Sequence, residues 1–143
     1  MTVTLDHFFS PRGVALIGAS PNPTKLSYGV LRNLTEYGYQ GQIYPVNPNY
    51  PEIANLTCFP DIAAVPDPVD LAVILLPAKL VPQVLEGCGR RGVKAAIIVS
   101  GGFKEAGPSG ALLEAECVTI ARRYNLRLIG PNCIGAIDPQ TRL

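Results

Sequence analysis

The sequence predicts an α/β fold: an open, doubly wound, mostly parallel sheet of about five strands flanked by helices. Five short runs rich in Val, Ile, Leu and Ala recur along the 143 residues. Their hydrophobicity is continuous rather than alternating, which is typical of strands that are covered on both faces. Segments with apolar residues at helical spacing lie between most of these runs. Such alternation of strand and helix indicates right-handed crossovers and a parallel sheet.

Each of the five predicted strands runs into a turn that contains Gly or Pro. The first begins at Val14 and stops at Gly18, and the last begins at Arg127 and stops in a Gly-Pro-Asn-Cys turn. Gly and Pro interrupt extended structure, so they mark the ends of the strands. The runs are VALIG from Val14, QIYPV from Gln42, LAVILL from Leu71, AAIIVS from Ala95 and RLIG from Arg127.

Three helices are predicted from apolar spacing and from the residues that follow it. Gly38 and Gly92 come after two of the helices as left-handed caps, and Asn125 comes after the third. Pro82 is compatible with the first turn of the second helix. The apolar faces are Leu26, Val30, Leu31, Leu34 and Tyr37 in the first helix, Leu80, Val84 and Leu85 in the second, and Leu113, Cys117, Ile120 and Tyr124 in the third.

The segment 50–70 contains four prolines and is predicted to hold little more than single helical turns. It serves as the crossover from the second strand to the third. The strand order predicted for the sheet is 3-2-1-4-5. No linker or low-complexity stretch interrupts the pattern, so the chain is interpreted as one domain, 1–143, and as the N-terminal part of a longer protein.

Composition argues against several classes of protein. With 12 basic and 11 acidic residues the net charge is +1, so no overall field would attract nucleic acid or an anionic membrane. Neither a signal peptide nor a run of about 18 apolar residues is evident, which favours a cytoplasmic protein. The four cysteines are scattered and form no C-x-x-C pair, so we expect reduced, packed thiols and neither a disulfide framework nor a metal site.

In open α/β sheets, ligands bind where the loops at the carboxyl ends of the strands converge. The five loops at that edge contain Gly, Pro or small polar residues, whereas the opposite edge carries charged connections such as GRRGVK and RRYNLR. We therefore expect the functional site at the first edge. Its loops are 18–25 (GASPNPTK), 46–50 (VNPNY), 76–79 (LPAK), 100–107 (SGGFKEAG) and 130–135 (GPNCIG).

The first loop resembles a dinucleotide-binding turn but departs from G-x-G-x-x-G, because Ala19, Ser20 and a Pro-Asn-Pro run follow Gly18. Lys25 lies in or just before the first turn of the first helix, where a positive charge opposes the helix dipole and a bound phosphate would reverse that effect. Together with free backbone N–H groups, it forms a candidate pyrophosphate site. The alternative is a solvated surface lysine.

The turn after the second strand points away from NAD. Enzymes that bind NAD place an Asp or Glu there to hold the ribose hydroxyls. Asn47, Pro48 and Asn49 offer no carboxylate. A site of this kind would tolerate a phosphorylated ribose, which a carboxylate would repel.

The fourth loop, SGGF, would let a ligand approach the main chain at Gly101 and Gly102, with Phe103 as a candidate wall. A tight strand-to-helix turn explains the two glycines equally well. Cys133 is not predicted to be a nucleophile, because no basic partner is near in sequence and His7 is the only histidine. No catalytic residue is predicted.

Taken together, these segments closely resemble the N-terminal CoA-binding domain of NDP-forming acyl-CoA synthetases, which are relatives of the succinyl-CoA ligase alpha subunit. The resemblance extends from about Phe8 to Pro139 and implies a Rossmann-like domain that holds coenzyme A across its strand ends. The segments that carry it, in order, are FFSPRGVALIGAS, IYPVNPNY, DLAVILLPA, IIVSGGFKEAG and RLIGPNCIG.

The resemblance also implies roles for individual residues. The loop 20–23 matches a CoA-contacting segment, and Asn49 stands where the family carries a phosphate-binding Lys or Arg, which leaves Lys25 as the nearest cation to compensate. The segment 99–101 matches the part that meets the pantetheine arm, and the turn at Asn132 and Cys133 lies near its thiol end. The candidate CoA-binding residues are Gly18, Ala19, Ser20, Pro21, Asn22, Pro23, Lys25, Asn47, Pro48, Asn49, Pro77, Val99, Ser100, Gly101, Gly102, Phe103, Asn132 and Cys133.

In the family, the reaction runs through an acyl phosphate and a phosphorylated histidine of a later domain, and an ATP-grasp domain binds the nucleotide. The resemblance therefore implies a CoA-binding module that works beside an ATP-grasp domain or subunit. A stand-alone regulatory CoA-binding protein, the front domain of a protein acetyltransferase fusion and an NAD(P)-binding domain are the alternatives. A homo-oligomer is compatible with each of them.

Overall fold

The computed structural model describes residues 4–143 and contains a five-stranded parallel sheet together with a two-stranded hairpin. All five predicted strands and all three predicted helices form. In chain order the elements are α1 (Asp6–Phe9), β1 (Gly13–Ile17), α2 (Leu26–Glu36), β2 (Gln42–Val46), β3 (Glu52–Ile53), β4 (Leu56–Thr57), β5 (Leu71–Ile74), α3 (Val81–Arg91), β6 (Ala95–Ile98), α4 (Pro108–Tyr124) and β7 (Arg127–Ile129).

The strands of the main sheet lie in the order β2-β1-β5-β6-β7. Counted along the chain this is 2-1-3-4-5, so the predicted order of 3-2-1-4-5 is wrong. After β2 the chain crosses over β1 and adds β5 on its far side, in register from Val14 opposite Leu71 to Ile17 opposite Ile74. The strand β2 is therefore an edge strand.

Pro45 explains why β2 lies at the edge. Its carbonyl accepts a hydrogen bond from the N–H of Phe59 at 2.9 Å, on the side away from β1. The N–H and C=O of one strand residue point to the same side, so the N–H that proline lacks would also have pointed away from β1. Another strand placed on that side of β2 would lack a hydrogen bond at Pro45. In the structure, Val46 forms only an isolated bridge with Phe59 there.

Helices cover the two faces of the sheet unequally. The helices α3 and α4 pack on one face, where Leu85, Cys88 and Cys117 are almost fully buried. The helices α1 and α2 pack on the other face through side chains such as Phe8 and Leu31, and residues 133–143 cover the rest of it in an irregular conformation. Among residues 4–143, no helix combines the length and the apolar character needed to cross a bilayer.

The predicted helix ends are confirmed. Gly92 and Asn125 follow α3 and α4 in the left-handed conformation, with φ of 83° and 52°. Gly38, with φ of 86°, lies just beyond the end of α2. The segment 50–70 holds β3, β4 and a single 3₁₀ turn at Ile62–Ala64, so its prediction as a crossover with little regular structure is also confirmed.

Ion pairs occupy the edge of the sheet at the amino ends of the strands. The guanidinium of Arg12 donates to both carboxylate oxygens of buried Asp70 at 2.8 and 2.9 Å. These hydrogen bonds hold the pKa of Asp70 below its usual value, although its burial acts in the opposite direction. Arg91 donates to the carbonyl of Val65 and to Asp67. These charges connect loops to one another, which agrees with the structural role expected for this edge.

Candidate functional site

The five loops of the predicted site lie side by side, because neighbouring strands of the main sheet are all parallel and end at the same edge. We call this edge the rim and define it as residues 18–25, 46–50, 76–79, 100–107 and 130–135. Direct contacts join each loop to the next one in the sheet. The predicted convergence of the loops on one edge is therefore confirmed.

Asn47 joins the loops after β2 and β1. Its Nδ2 donates to the carbonyl of Ala19 at 2.8 Å, and its Oδ1 accepts from the N–H of Asn49 at 2.9 Å. The N–H groups of Gly18 and Ala19 both donate to the carbonyl of Val46, at 3.1 and 3.3 Å. Because both ends of its amide are engaged, Asn47 positions the two loops.

The first loop is ordered by its own side chains. The Oδ1 of Asn22 accepts from both the N–H and the hydroxyl of Thr24, at 2.9 and 2.8 Å. The hydroxyl of Ser20 accepts from the N–H of Asn22 at 3.1 Å. Pro21 and Pro23, whose φ angles are fixed by their rings, flank this network. The loop therefore presents one preorganised surface immediately before α2.

Lys25 is the N-cap residue of α2, at the position that the sequence predicts, and its side chain is exposed, which the alternative of a surface lysine also requires. Its backbone is extended, with φ of −87° and ψ of 141°, and no side chain caps the helix. The first turn of α2 contains no acidic residue either. The uncapped N–H groups, the positive end of the helix dipole and the ammonium group of Lys25 thus combine to favour an anion such as a phosphate.

Two glycines allow neighbouring loops to approach closely. Gly18 has φ of 92°, and a Cβ at this position would overlap the carbonyl of Leu75, at the end of β5. Gly102 has φ of 100°, and a Cβ there would lie 3.2 Å from the side chain of Ala78. These contacts connect the third loop, where Pro77 is exposed, to the loops on both sides of it.

Glu105 holds the fourth loop in shape and was missed by the sequence analysis. Its Oε1 accepts from the N–H groups of Gly102 and Phe103, at 2.6 and 3.2 Å. The first of these bonds is the main reason that the pKa of Glu105 is lowered. Glu114 accepts from the N–H of Lys104 at 3.2 Å in the same way. An acidic residue shortly after a Gly-Gly pair is the signal that could have identified Glu105.

The fourth and fifth loops are also joined. The N–H of Asn132 donates to the carbonyl of Ser100 at 3.0 Å, and the thiol of Cys133 donates to the carbonyl of Ile98 at 3.3 Å. A Cβ at Gly101 would lie 3.2 Å from the side-chain Oδ1 of Asn132. Cys133 is half-buried and packs against the core on the α2 face of the sheet.

The hydroxyl of Ser100 is buried and has no hydrogen-bond partner among the described residues. A buried hydroxyl without a partner costs about 1–3 kcal/mol, so a ligand that supplies one would be stabilised here. Gly101 and Gly102, next to it, are exposed and leave the main chain accessible.

Phe103 is not a wall of the rim. Its side chain is fully buried and belongs to the core beneath α3 and α4. The predicted role of its ring is therefore wrong, because the loop turns the ring inward. Ala19 is also fully buried, so it can offer a ligand little more than its main chain.

The other candidate residues are accessible in varying degree. Those that are exposed are Pro21, Asn22, Pro23, Lys25, Pro48, Asn49, Pro77, Gly101, Gly102 and Asn132, and those that are partly buried are Gly18, Ser20, Asn47, Val99, Ser100 and Cys133. Each of the five loops thus contributes at least one exposed candidate residue to the rim.

A doubly wound parallel sheet whose loops meet at the carboxyl ends of its strands places this chain among the Rossmann-like α/β domains. A family model described as a CoA binding domain matches residues 12–139. The chain therefore belongs to this family.

Two of the relatives that this chain matches are named as ligases. The acetate–CoA ligase (ADP-forming) I of Archaeoglobus fulgidus is 46% identical over 136 residues, which cover 95% of this chain and 20% of that protein. The subunit alpha of acetate–CoA ligase (ADP-forming) I of Pyrococcus furiosus is 45% identical over 145 residues, which cover 99% of this chain and 31% of that subunit. The chain thus spans less than a third of the length of either relative.

The fold also matches a solved structure of the same enzyme family. The dinucleotide forming acetyl-coenzyme A synthetase 1 of Ca. Korarchaeum cryptofilum, in complex with phosphate and ADP, superposes with a TM-score of 0.94 at 42% identity. The match covers 98% of this chain and 30% of that one. The Rossmann-like architecture expected from the sequence is confirmed.

Proposed function

We propose that the rim binds coenzyme A, as a module of an ADP-forming or GDP-forming acyl-CoA synthetase. The observation that carries the proposal is the buried, unpartnered hydroxyl of Ser100 beside the open main chain of Gly101 and Gly102. Membership of the CoA-binding family supports it. An amide carbonyl of the pantetheine arm would accept the hydrogen bond that Ser100 otherwise lacks.

The two ends of the ligand have different surroundings on the rim. The phosphates would lie near Lys25 and the N-terminus of α2, where positive charge and free N–H groups coincide. The thiol would lie near Cys133, beyond the fourth loop. Coenzyme A supplies the thiol that becomes a thioester, and the residues of this chain bind and orient it.

The turn after β2 supports coenzyme A over NAD. Asn47, Pro48 and Asn49 provide no carboxylate for ribose hydroxyls, and the amide of Asn47 is already engaged with Ala19 and Asn49. Asn49 itself is exposed and uncharged, so it contributes no charge to a bound phosphate. That task falls to Lys25.

The chain is proposed to be the N-terminal part of a longer cytoplasmic enzyme, because it spans 20% and 31% of the two ligase relatives described above. One of these is named as a subunit alpha. An ATP-grasp domain or subunit would bind the nucleotide. A regulatory protein, an acetyltransferase fusion and an NAD(P) domain are less well supported, since the named relatives are ligases.

Isothermal titration of the protein with CoA, dephospho-CoA and NAD tests the proposal. CoA should bind at least about tenfold more tightly than either of the others, because dephospho-CoA lacks the 3′-phosphate and NAD lacks the pantetheine arm. Equal affinity for NAD and CoA would refute the assignment. No measurable binding of CoA would refute it as well.

A further inference from the structure

An apolar groove of about 560 Å³ lies on the face of the sheet that carries α2. It shares Ile134 and Gly135 with the rim and opens toward it at Leu26 and Val99, which are next in sequence to the rim residues Lys25 and Ser100. The floor consists of side chains from β1, β5 and β6. One wall is α2, and the other is the C-terminal segment 134–143.

Gly29 in α2 indicates that the groove has an occupant. The glycines inside α3 and α4, Gly87, Gly89 and Gly110, each have a neighbour that a Cβ would touch or overlap, whereas a Cβ at Gly29 would meet nothing within 4 Å. A glycine inside a helix costs about 0.5–1 kcal/mol relative to alanine and is usually explained by close packing. Gly29 lines the groove, so the missing neighbour would lie in it.

The C-terminal segment already begins a hairpin beside this groove. The N–H of Asp138 donates to the carbonyl of Leu143 at 3.0 Å, and the N–H of Leu143 donates to the carbonyl of Asp138 at 3.2 Å. This exchange is the hydrogen-bonded pair of antiparallel strands. The hydroxyl of Thr141 donates to the carbonyl of Phe9 at 2.6 Å, which fixes the loop of the hairpin to α1.

The first arm of the hairpin lacks a pairing partner. Within residues 4–143, no main-chain hydrogen bond engages residues 134–137. Ile134 and Ile137 are 97% and 80% exposed, whereas Ala136 and Leu143 pack against the core. A segment with a free main chain beside an apolar groove is a template for one more strand.

We propose that the polypeptide following Leu143 runs antiparallel to residues 134–138, as an extended strand that fills the groove. The inference rests on one part of the proposed function, namely that this chain is the N-terminal part of a longer enzyme. The strand would pass from Tyr37 at one end of α2 to Leu26 at the other. Eleven helical residues rise about 16 Å, which about five strand residues span.

The register of the hairpin specifies the chemistry of this strand. The second residue after Leu143 lies opposite Ala136 and exchanges hydrogen bonds with it. Alternate side chains point the same way, so the second and fourth residues after Leu143 face the groove on the same side as Leu143 and must be apolar. The strand leaves the groove at the rim, beside Cys133, and thus brings the following domain to the thiol end of the coenzyme A site.

Hydrogen exchange on the longer protein and on the chain 1–143 tests this proposal. Peptides covering residues 134–138 should exchange at least about tenfold more slowly in the longer protein, because the strand pairs with their main chain. Equal exchange in the two proteins would overturn the proposal. A coding sequence that ends at Leu143, or one with charged residues or proline at the second and fourth positions beyond it, would also overturn it.

Substitution in α2 separates filling of the groove from general effects on stability. Gly29→Leu should raise exchange of residues 134–138 several-fold in the longer protein, because its side chain competes with the strand, and should leave the chain 1–143 folded. Arg32→Leu places the same side chain on an exposed part of α2 outside the groove. It should change neither the exchange of residues 134–138 in the longer protein nor the folding of the chain 1–143. An unchanged exchange rate in Gly29→Leu would contradict the proposal.

Titration of the chain 1–143 with CoA distinguishes the two proposals from each other. If CoA binds and residues 134–138 are not protected in the longer protein, the strand proposal alone fails. If they are protected and CoA does not bind, the proposed function of the rim alone fails.

Discussion

At the residue scale, Lys25 places a positive charge at the N-terminus of α2, where the helix dipole already has its positive end. The N-cap of a helix disfavours a cation by about 0.3–1 kcal/mol, so this lysine is a cost in the free protein. A bound phosphate turns the same charge into an attraction. The charge of Lys25 therefore does not stabilise the N-terminus of α2 in the free protein.

Lys25→Ala should weaken binding of CoA about tenfold at low salt, and less at high salt, because the contact is exposed and screened. The melting temperature should stay the same or rise slightly, since a repulsion with the helix dipole is removed. Lys94→Ala is the control, because Lys94 is exposed at the opposite end of the sheet. Parallel titration and thermal unfolding of both variants check this, and an equal loss of affinity in the control would contradict it.

Glu105 gives the fourth loop a dependence on pH. Its carboxylate accepts from the N–H groups of Gly102 and Phe103, and these bonds lower its pKa in the folded protein. The stabilisation they provide is therefore present at pH values above the ordinary pKa of a glutamate. It is lost as the pH falls through the lowered pKa of the folded state.

Glu105→Gln should lower the melting temperature at neutral pH, and the difference from the unaltered protein should shrink in acid. Thermal unfolding measured from pH 7 down to pH 3 tests this. Glu116→Gln serves as the control, because Glu116 is exposed and accepts no hydrogen bond among the described residues. If the difference in melting temperature between Glu105→Gln and the unaltered protein stays constant from pH 7 to pH 3, the carboxylate does not hold the loop through its charge.

At the scale of elements, glycines inside helices have opposite roles in α2 and α4. A Cβ at Gly110 would overlap the carbonyl of Phe103, so α4 packs against the fourth loop at a distance that only glycine allows. The same addition at Gly29 in α2 meets open space. One residue type thus marks a tight contact in one helix and an open groove beside the other.

Gly110→Ala should lower the free energy of unfolding by about 1–3 kcal/mol, because the overlap outweighs the better helix propensity of alanine. In the chain 1–143, Gly29→Ala should instead raise it by about 0.5–1 kcal/mol. Urea denaturation of the two variants measures both effects. Destabilisation of the same size in each would show that packing does not distinguish these positions.

The elements themselves were predictable because their signals are local. Continuous apolar runs and helix-ending residues such as Gly92 and Asn125 depend only on neighbouring sequence, and the helices end close to the expected positions. The hairpin of β3 and β4 was not predicted, because strands of two residues show no periodicity. Its turn, with Ala54 and Asn55 at positive φ, places alanine where glycine is usual.

At the scale of the whole molecule, the order of the strands was the main error, and Pro45 carried the information to avoid it. A proline inside a strand indicates an edge, whereas the predicted order placed this strand between two others. The convergence of the five loops was predicted correctly, because parallel strands bring all of them to one edge. The orientation of Phe103 could not be predicted, since it depends on how a short loop turns over α4.

The two lateral margins of the sheet also determine how readily the domain could add strands from other molecules. Pro45 and Phe59 block growth of the sheet beyond β2. At the other margin β7 has only three residues and begins with the exposed, charged Arg127. Short and charged margins discourage intermolecular sheets. The domain should therefore resist fibril formation and domain swapping at both margins.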